Sequence, residues 1–168
     1  MTHSILRFVF VLFLVIKPLS AAADNTILIL GDSLSAAYGL KQEQGWVKLL
    51  QDKYDAEQRN IELINASISG ETTGGALRRL DALLAQYQPS HVLIELGAND
   101  GLRGVSVAET RENLQWMIDK VKAEAPQAKI VLAGMQLPPN LGTEYTTDFK
   151  NMFPQLAEEN NIALIPFL

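Results

Sequence analysis

The 168-residue chain contains no cysteine and only two histidines, His3 and His91. Without cysteine it forms no disulfide, offers no thiolate to zinc and carries no cysteine nucleophile. So few histidines also argue against a histidine-rich metal site, and we expect neither a metal nor a cofactor. Nineteen acidic residues against fourteen basic ones, without a basic cluster, argue against a nucleic-acid partner.

The first 23 residues have the layout of a secretory signal peptide. Arg7 precedes an apolar run over residues 8–16, and the small residues that end at Ala23 offer a cleavage site. A membrane span needs about twenty apolar residues, so the run is too short to favour the alternative of a permanent anchor. We therefore expect a periplasmic or secreted monomer without a stable membrane anchor, in which residues 24–168 form a single domain.

Beyond residue 24, short apolar runs alternate with amphipathic stretches. The runs suit strands that are covered on both faces, whereas apolar residues at helical spacing predict helices. Such alternation implies right-handed crossovers and a parallel sheet, so the fold class is α/β. The predicted strands occupy residues 26–30, 61–64, 92–96, 129–133 and 162–165, and the predicted helices lie within residues 45–54, 71–88, 114–121 and 149–156.

Polar and small residues follow the first three predicted strands: Ser33, Gly70 and Asn99. Ligands bind at the carboxyl ends of the strands in such sheets, so we expect these residues to meet at one edge. A hydroxyl nucleophile with N–H donors around it is what acyl transfer requires. Each residue also has a purely structural interpretation, because Asp32 with Ser33 and Asn99 with Gly101 suit turns and Gly70 suits the start of a helix.

Three sequence blocks carry a resemblance to a known family. They are Gly-Asp-Ser-Leu at residues 31–34, Asn-Ala-Ser-Ile-Ser-Gly at 65–70 and Gly-Ala-Asn-Asp at 97–100. The chain resembles the SGNH (GDSL) hydrolases, above all their periplasmic thioesterase I, lysophospholipase and arylesterase branch. The resemblance implies a flavodoxin-like three-layer α/β/α fold with a five-stranded parallel sheet in the order 2-1-3-4-5.

The same resemblance assigns roles to individual residues. Ser33 becomes the nucleophile, and its N–H, the Gly70 N–H and the Asn99 side chain form the oxyanion hole, while Asp32 holds the turn. The segment of Asp100, Gly101, Leu102 and Arg103 is expected to contact the substrate. The implied reaction is the hydrolysis of a small acyl ester or lysophospholipid through an acyl-serine intermediate, without metal or cofactor.

The chain departs from the family pattern at its carboxyl end. The family carries an Asp-x-x-His block after the fifth strand, and this sequence reaches Leu168 without one. We therefore expect the last helix to be missing, which would leave an apolar patch above strands three to five. His91 begins the third predicted strand, roughly 20 Å from the edge where Asn99 lies, so it is no substitute for the missing base.

Two other functions compete with ester hydrolysis. One is a catalytically crippled remnant that binds an acyl chain or lipid but lacks the His-Asp pair. The other, a nucleotide-binding module of flavodoxin shape, is disfavoured because neither glycine-rich phosphate-binding motif is present. Glu95 stands in an otherwise apolar strand, and we interpret it as a structural hydrogen-bond acceptor whose partners the sequence does not reveal.

Overall fold

A computed structural model describes residues 25–168 of the chain. Strands and helices alternate, as the apolar pattern predicts. The strands are β1 (Thr26–Gly31), β2 (Glu62–Asn65), β3 (His91–Glu95), β4 (Lys129–Ala133) and β5 (Ala163–Ile165), and the helices are α1 (Trp46–Ala56), α2 (Thr73–Tyr87), α3 (Ala98–Leu102), α4 (Val107–Glu124) and α5 (Thr143–Asn160), with short 3₁₀ turns at Gln42–Gln44 and Pro139–Leu141.

All five strands are parallel and lie in the order β2-β1-β3-β4-β5. This confirms the predicted α/β class and the predicted strand order. Strand β1 lies between β2 and β3, with Ile29 opposite Asn65 on one side and Gly31 opposite Glu95 on the other. The loops that follow these three strands therefore leave the sheet side by side.

The two faces of the sheet are covered unequally. Helices α2, α4 and α5 pack on one face and bury the larger core cluster, in which Leu80, Met117 and Phe153 are fully buried. On the other face α1 contributes Val47 to a much smaller cluster with Ile29 and other strand residues. The result is a three-layer α/β/α sandwich with a thick and a thin side.

An apolar groove of about 230 Å³ lies on the thin side, beside α1. Its floor includes Ile29 of β1, Leu63 of β2, Val131 of β4 and Ile165 of β5. The sequence predicts an apolar patch above strands three to five, and the groove extends that region across the whole sheet. It reaches this far because α1 alone supplies helical cover there among the residues described.

The signal peptide predicted for residues 1–23 lies outside the described residues. None of the helices between residues 25 and 168 is long and apolar enough to cross a membrane.

The thick side should supply most of the stability, and a matched pair of leucines tests this. Leu80→Ala removes a fully buried side chain of α2 and is expected to lower the free energy of unfolding by about 2–5 kcal/mol. Leu49→Ala truncates a side chain of α1 that is 55% exposed, and should change it by less than about 0.5 kcal/mol. Urea unfolding followed by circular dichroism measures both, and equal losses would contradict this description of the core.

Candidate active site

The loops after β1, β2 and β3 are joined by hydrogen bonds at the carboxyl edge of the sheet. The Ala66 N–H donates to the Ile29 carbonyl at 2.9 Å, and the Ile68 N–H donates to the Gly31 carbonyl at 3.1 Å. These bonds carry the β1–β2 pairing past the end of β2. They fix the loop that contains Gly70 against the loop that contains Ser33.

Ser33 lies in a turn that Asp32 organises. The buried Asp32 carboxylate accepts the Leu34 N–H at 3.1 Å, and the Ser33 hydroxyl donates to the same oxygen at 3.5 Å. The hydroxyl bond is at the long limit for such a contact. The turn is therefore fixed mainly by the Leu34 N–H bond, and the Ser33 hydroxyl is held only weakly by Asp32.

Asn99 connects all three loops. Its Nδ2 atom donates to the Glu71 carbonyl at 2.9 Å and to Asp32 Oδ2 at 3.1 Å. Glu71 directly follows Gly70, and Asp32 directly precedes Ser33, so Asn99 links the backbone beside Gly70 to the turn that contains Ser33. Both N–H groups of the amide are engaged, so a developing oxyanion would have to share or displace one of these acceptors.

The backbone at Gly70 turns through a left-handed conformation, with φ +78°. Residues other than glycine rarely adopt this conformation. The Gly70 carbonyl accepts a hydrogen bond from Arg103 Nη2 at 2.9 Å. Among the hydrogen bonds of residues 25–168, neither the Gly70 N–H nor the Ser33 N–H has an acceptor, so both remain available as donors.

The four residues predicted to contact substrate differ in accessibility. Residues 99–101, for which a turn was one interpretation, belong to the short helix α3. Asp100 and Gly101 are buried, whereas Leu102 and Arg103 are exposed. The Asp100 carboxylate accepts the Thr73 N–H at 2.9 Å and also the Thr73 hydroxyl, so it holds the first turn of α2 and does not face solvent. Substrate contact stays a prediction for all four residues, of which Leu102 and Arg103 are the exposed pair.

Glu95 has the partners that the sequence did not reveal. It is fully buried at the end of β3, and its Oε2 atom accepts the Asp32 N–H at 3.2 Å and the Ser35 hydroxyl at 2.7 Å. The pKa of Glu95 is raised from its ordinary 4.5 to about 7, mainly by burial, with the Ser35 hydrogen bond lowering it and repulsion from Asp32 adding to the rise. The sequence signal was the carboxylate itself, placed in an apolar strand.

His91 lies at the opposite edge of the sheet. It begins β3 and pairs with Ile27, six residues before Ser33, a separation of roughly 20 Å along a strand. Its Nδ1 atom lies 2.9 Å from the Ser90 hydroxyl. In residues 25–168 this imidazole is therefore no base for Ser33, and the same residues contain no group of three or more His, Asp or Glu side chains that could hold a metal ion.

Sequence comparison places this site in a known family. Residues 29–168 match the model of the GDSL-like Lipase/Acylhydrolase family. The chain belongs to this family. The matched region includes the end of β1, the other four strands and the three loops, so the geometry described above is that of a family member.

Three relatives show what the family includes. Esterase TesA of Pseudomonas aeruginosa is 49% identical over 87% of this chain and 72% of its own length. Thioesterase 1/protease 1/lysophospholipase L1 of Escherichia coli is 46% identical over 93% of this chain and 73% of its own. The crystal structure of the psychrotrophic esterase EstA from Pseudoalteromonas sp. superposes with a TM-score of 0.80 at 62% identity, covering 84% of this chain and 76% of that one. These relatives identify the chain as a serine ester hydrolase.

The raised pKa of Glu95 predicts that the protein loses stability as the pH rises from 4.5 to about 7. In this window the folded carboxyl keeps a proton that the unfolded one has released, so ionisation opposes folding. The full shift corresponds to about 3 kcal/mol. Urea unfolding should therefore show that the free energy of unfolding falls more between pH 5 and pH 8 in the wild type than in Glu95→Gln.

The exposed glutamate of β2 provides the control for this measurement. Glu62→Gln should follow the wild type at both pH values, because Glu62 lies in solvent at the sheet edge. A Glu95→Gln protein with the pH dependence of the wild type would show that Glu95 does not titrate in this range.

Proposed function

We propose that the protein hydrolyses small acyl esters through an acyl-enzyme intermediate on Ser33. The observation that carries the proposal is the network in which one Asn99 amide bonds both to Asp32, beside Ser33, and to Glu71, beside Gly70. It supports a site in which the Ser33 hydroxyl and three N–H donors lie at one edge of the sheet. The names of the relatives support esters, thioesters and lysophospholipids as the substrate class.

The proposed reaction begins when Ser33 Oγ attacks the acyl carbonyl carbon and passes its proton to solvent. The carbonyl oxygen becomes negative, and the Ser33 N–H, the Gly70 N–H and Asn99 Nδ2 donate to it. Collapse of this intermediate expels the alcohol or thiol, which takes up a proton and leaves the acyl group on Ser33. Water then attacks the acyl carbonyl by the reverse sequence and releases the acid.

To donate to this oxyanion, the Asn99 amide would give up one of its two present acceptors. Its bond to Asp32 Oδ2, at 3.1 Å, is the longer of the two that Nδ2 makes. The oxyanion, a negatively charged acceptor, would take this N–H in place of Asp32 Oδ2. The shorter bond to the Glu71 carbonyl keeps the amide oriented meanwhile.

A second candidate function is a site that binds acyl groups with little turnover. It is favoured by the position of His91, which leaves Ser33 without an imidazole base in the part of the chain that the structure describes. An unassisted serine hydroxyl is a weak nucleophile. In serine proteases, loss of the histidine costs on the order of 10⁶ in turnover, while binding and the oxyanion hole retain about 10³–10⁴ over water.

We further propose that the protein acts in the periplasm or outside the cell. The proposal rests on the signal-peptide layout of residues 1–23, with the domain beginning at residue 24. We expect a monomer that needs no cofactor.

Ser33→Ala tests the nucleophile. Mixing the wild type with a p-nitrophenyl ester should release p-nitrophenol and leave an acyl adduct of the corresponding mass on Ser33, because attack by its oxygen forms the new ester bond. The variant should give neither product above the buffer rate, as measured by absorbance and intact-protein mass spectrometry. Ser69→Ala removes an exposed hydroxyl of the neighbouring loop and should behave as the wild type. Equal rates for wild type and Ser33→Ala would exclude Ser33 as the nucleophile.

Asn99→Ala tests the proposed oxyanion donor. Loss of one such donor lowers turnover by about 10²–10³ in well-studied hydrolases, and we expect a similar fall in the rate of acyl transfer to Ser33. Asn113→Ala, which removes a part-buried amide that bonds to the Thr73 hydroxyl and to none of the proposed oxyanion donors, is the control and should retain most of the rate. A rate in Asn99→Ala equal to that of the control would remove Asn99 from the oxyanion hole.

A further inference from the structure

The buried carboxyl of Glu95 lies under the turn that presents Ser33. Glu95 ends β3 opposite Gly31, the last residue of β1. From there its Oε2 atom accepts one hydrogen bond from the backbone just before Ser33, at Asp32, and one from the side chain just after it, at Ser35. The carboxyl thus holds the turn on both sides of the proposed nucleophile.

The Glu95 carboxyl is packed tightly against Gly31 and Ser35. A Cβ atom added to Gly31 would lie 2.5 Å from Glu95 Oε2 and 2.9 Å from the Ser35 side chain. Such distances are shorter than real contacts, so glycine at position 31 is what lets the carboxyl approach the turn. Ser35 and Glu95 are both buried, which keeps water from replacing either partner.

Hydrogen bonds continue from this carboxyl to the proposed oxyanion donor. Glu95 accepts the Asp32 N–H, and the Asp32 side chain in turn accepts the Asn99 amide and the Leu34 N–H. Asp32 therefore sits between Glu95 and the groups that act in the proposed reaction. A shift of the Asp32 backbone would displace the Ser33 hydroxyl and the Asn99 donor together.

We propose that Glu95 is a positioning residue, whose carboxyl fixes the Asp32–Ser35 turn and thereby aims Ser33 and Asn99 at the substrate carbonyl. This inference rests on the proposed function of Ser33. Glu95 acts through the turn and does not touch the substrate.

The chemistry of a buried carboxyl supports a positioning role. Its Oε1 atom has no hydrogen-bond partner in the described part of the chain, a costly arrangement for a residue that only fills space. Its raised pKa, about 7, means that it titrates near neutrality, and the ionised form accepts hydrogen bonds more strongly. Asp32 is the ionisable group that faces it, whereas Gly31, its partner on β1, is uncharged, and so is Leu132 of β4, which pairs with the preceding residue, Ile94.

Three variants separate positioning from stability. Glu95→Gln keeps an oxygen acceptor of the same size, whereas Glu95→Leu removes the acceptor and keeps a buried side chain. Leu93→Ala is the matched control, because Leu93 lies two residues earlier on β3, in the small cluster of the thin side, and its loss costs core packing. Urea unfolding identifies conditions in which all of these proteins are folded.

Two measurements are made on each folded protein. The first is hydrogen exchange of the Asp32 backbone N–H by NMR, together with its ¹⁵N shift between pH 5 and pH 9. The second is single-turnover labelling of Ser33 by a p-nitrophenyl alkylphosphonate, followed by intact mass, in which Ser33 Oγ bonds to phosphorus, p-nitrophenolate leaves and the serine proton passes to solvent. Its dependence on reagent concentration separates the maximal labelling rate from the half-saturating concentration.

Positioning predicts a specific pattern across these proteins. Glu95→Leu should exchange the Asp32 N–H faster and lose at least about tenfold in the maximal labelling rate, with the half-saturating concentration unchanged, because a displaced nucleophile loses reactivity and not binding. Glu95→Gln and Leu93→Ala should label within about threefold of the wild type. The Asp32 ¹⁵N shift should titrate near pH 7 in the wild type and not in Glu95→Gln.

The contrary outcomes are distinguishable. Equal slowing in Glu95→Leu and Leu93→Ala, or wild-type labelling in Glu95→Leu, would overturn the role of Glu95 and leave the nucleophile standing, provided that Ser33→Ala is unlabelled. Labelling of Ser33→Ala at the wild-type rate would overturn the proposed function and this inference with it. The Asp32 N–H measurements would then still report whether Glu95 holds the turn.

Discussion

The site depends on the parallel pairing of β1 with β2 on one side and β3 on the other. Parallel strands end at the same edge of a sheet, so the pairs Ile29–Asn65 and Gly31–Glu95 bring three loops to one place. A slip of one residue in either pairing would turn every side chain of that strand to the opposite face. The core packing that specifies this register therefore also specifies the spacing of Ser33, Gly70 and Asn99.

Much of this arrangement was predictable from the sequence. Apolar runs of strand length, separated by amphipathic stretches, predict a parallel α/β sheet by physics alone, and the strand order 2-1-3-4-5 followed from the family resemblance. The polar residues after three strands could be assigned to one edge because of the way such sheets are wound. That assignment needs only the order of the elements, and not the contacts between side chains.

The remaining details of the site depend on contacts between distant parts of the chain. The bonds of Glu95 to Asp32 and Ser35 join residues 63 and 60 positions apart, and no local pattern indicates them. Helix α3 could not be predicted for a related reason, because Asn99, Asp100 and Gly101 are residues that favour turns. Their helical conformation is fixed by burial of Asp100 against Thr73 of α2.

Because the sheet is covered unequally, the two tryptophans lie on different sides of it. Trp46 belongs to α1 and packs on the thin side, whereas Trp116 is half exposed on α4, the central helix of the thick side. Local opening should occur first where few apolar contacts must be broken. The indole emission of the two residues would then report separately on the detachment of a single helix and on the melting of the whole domain.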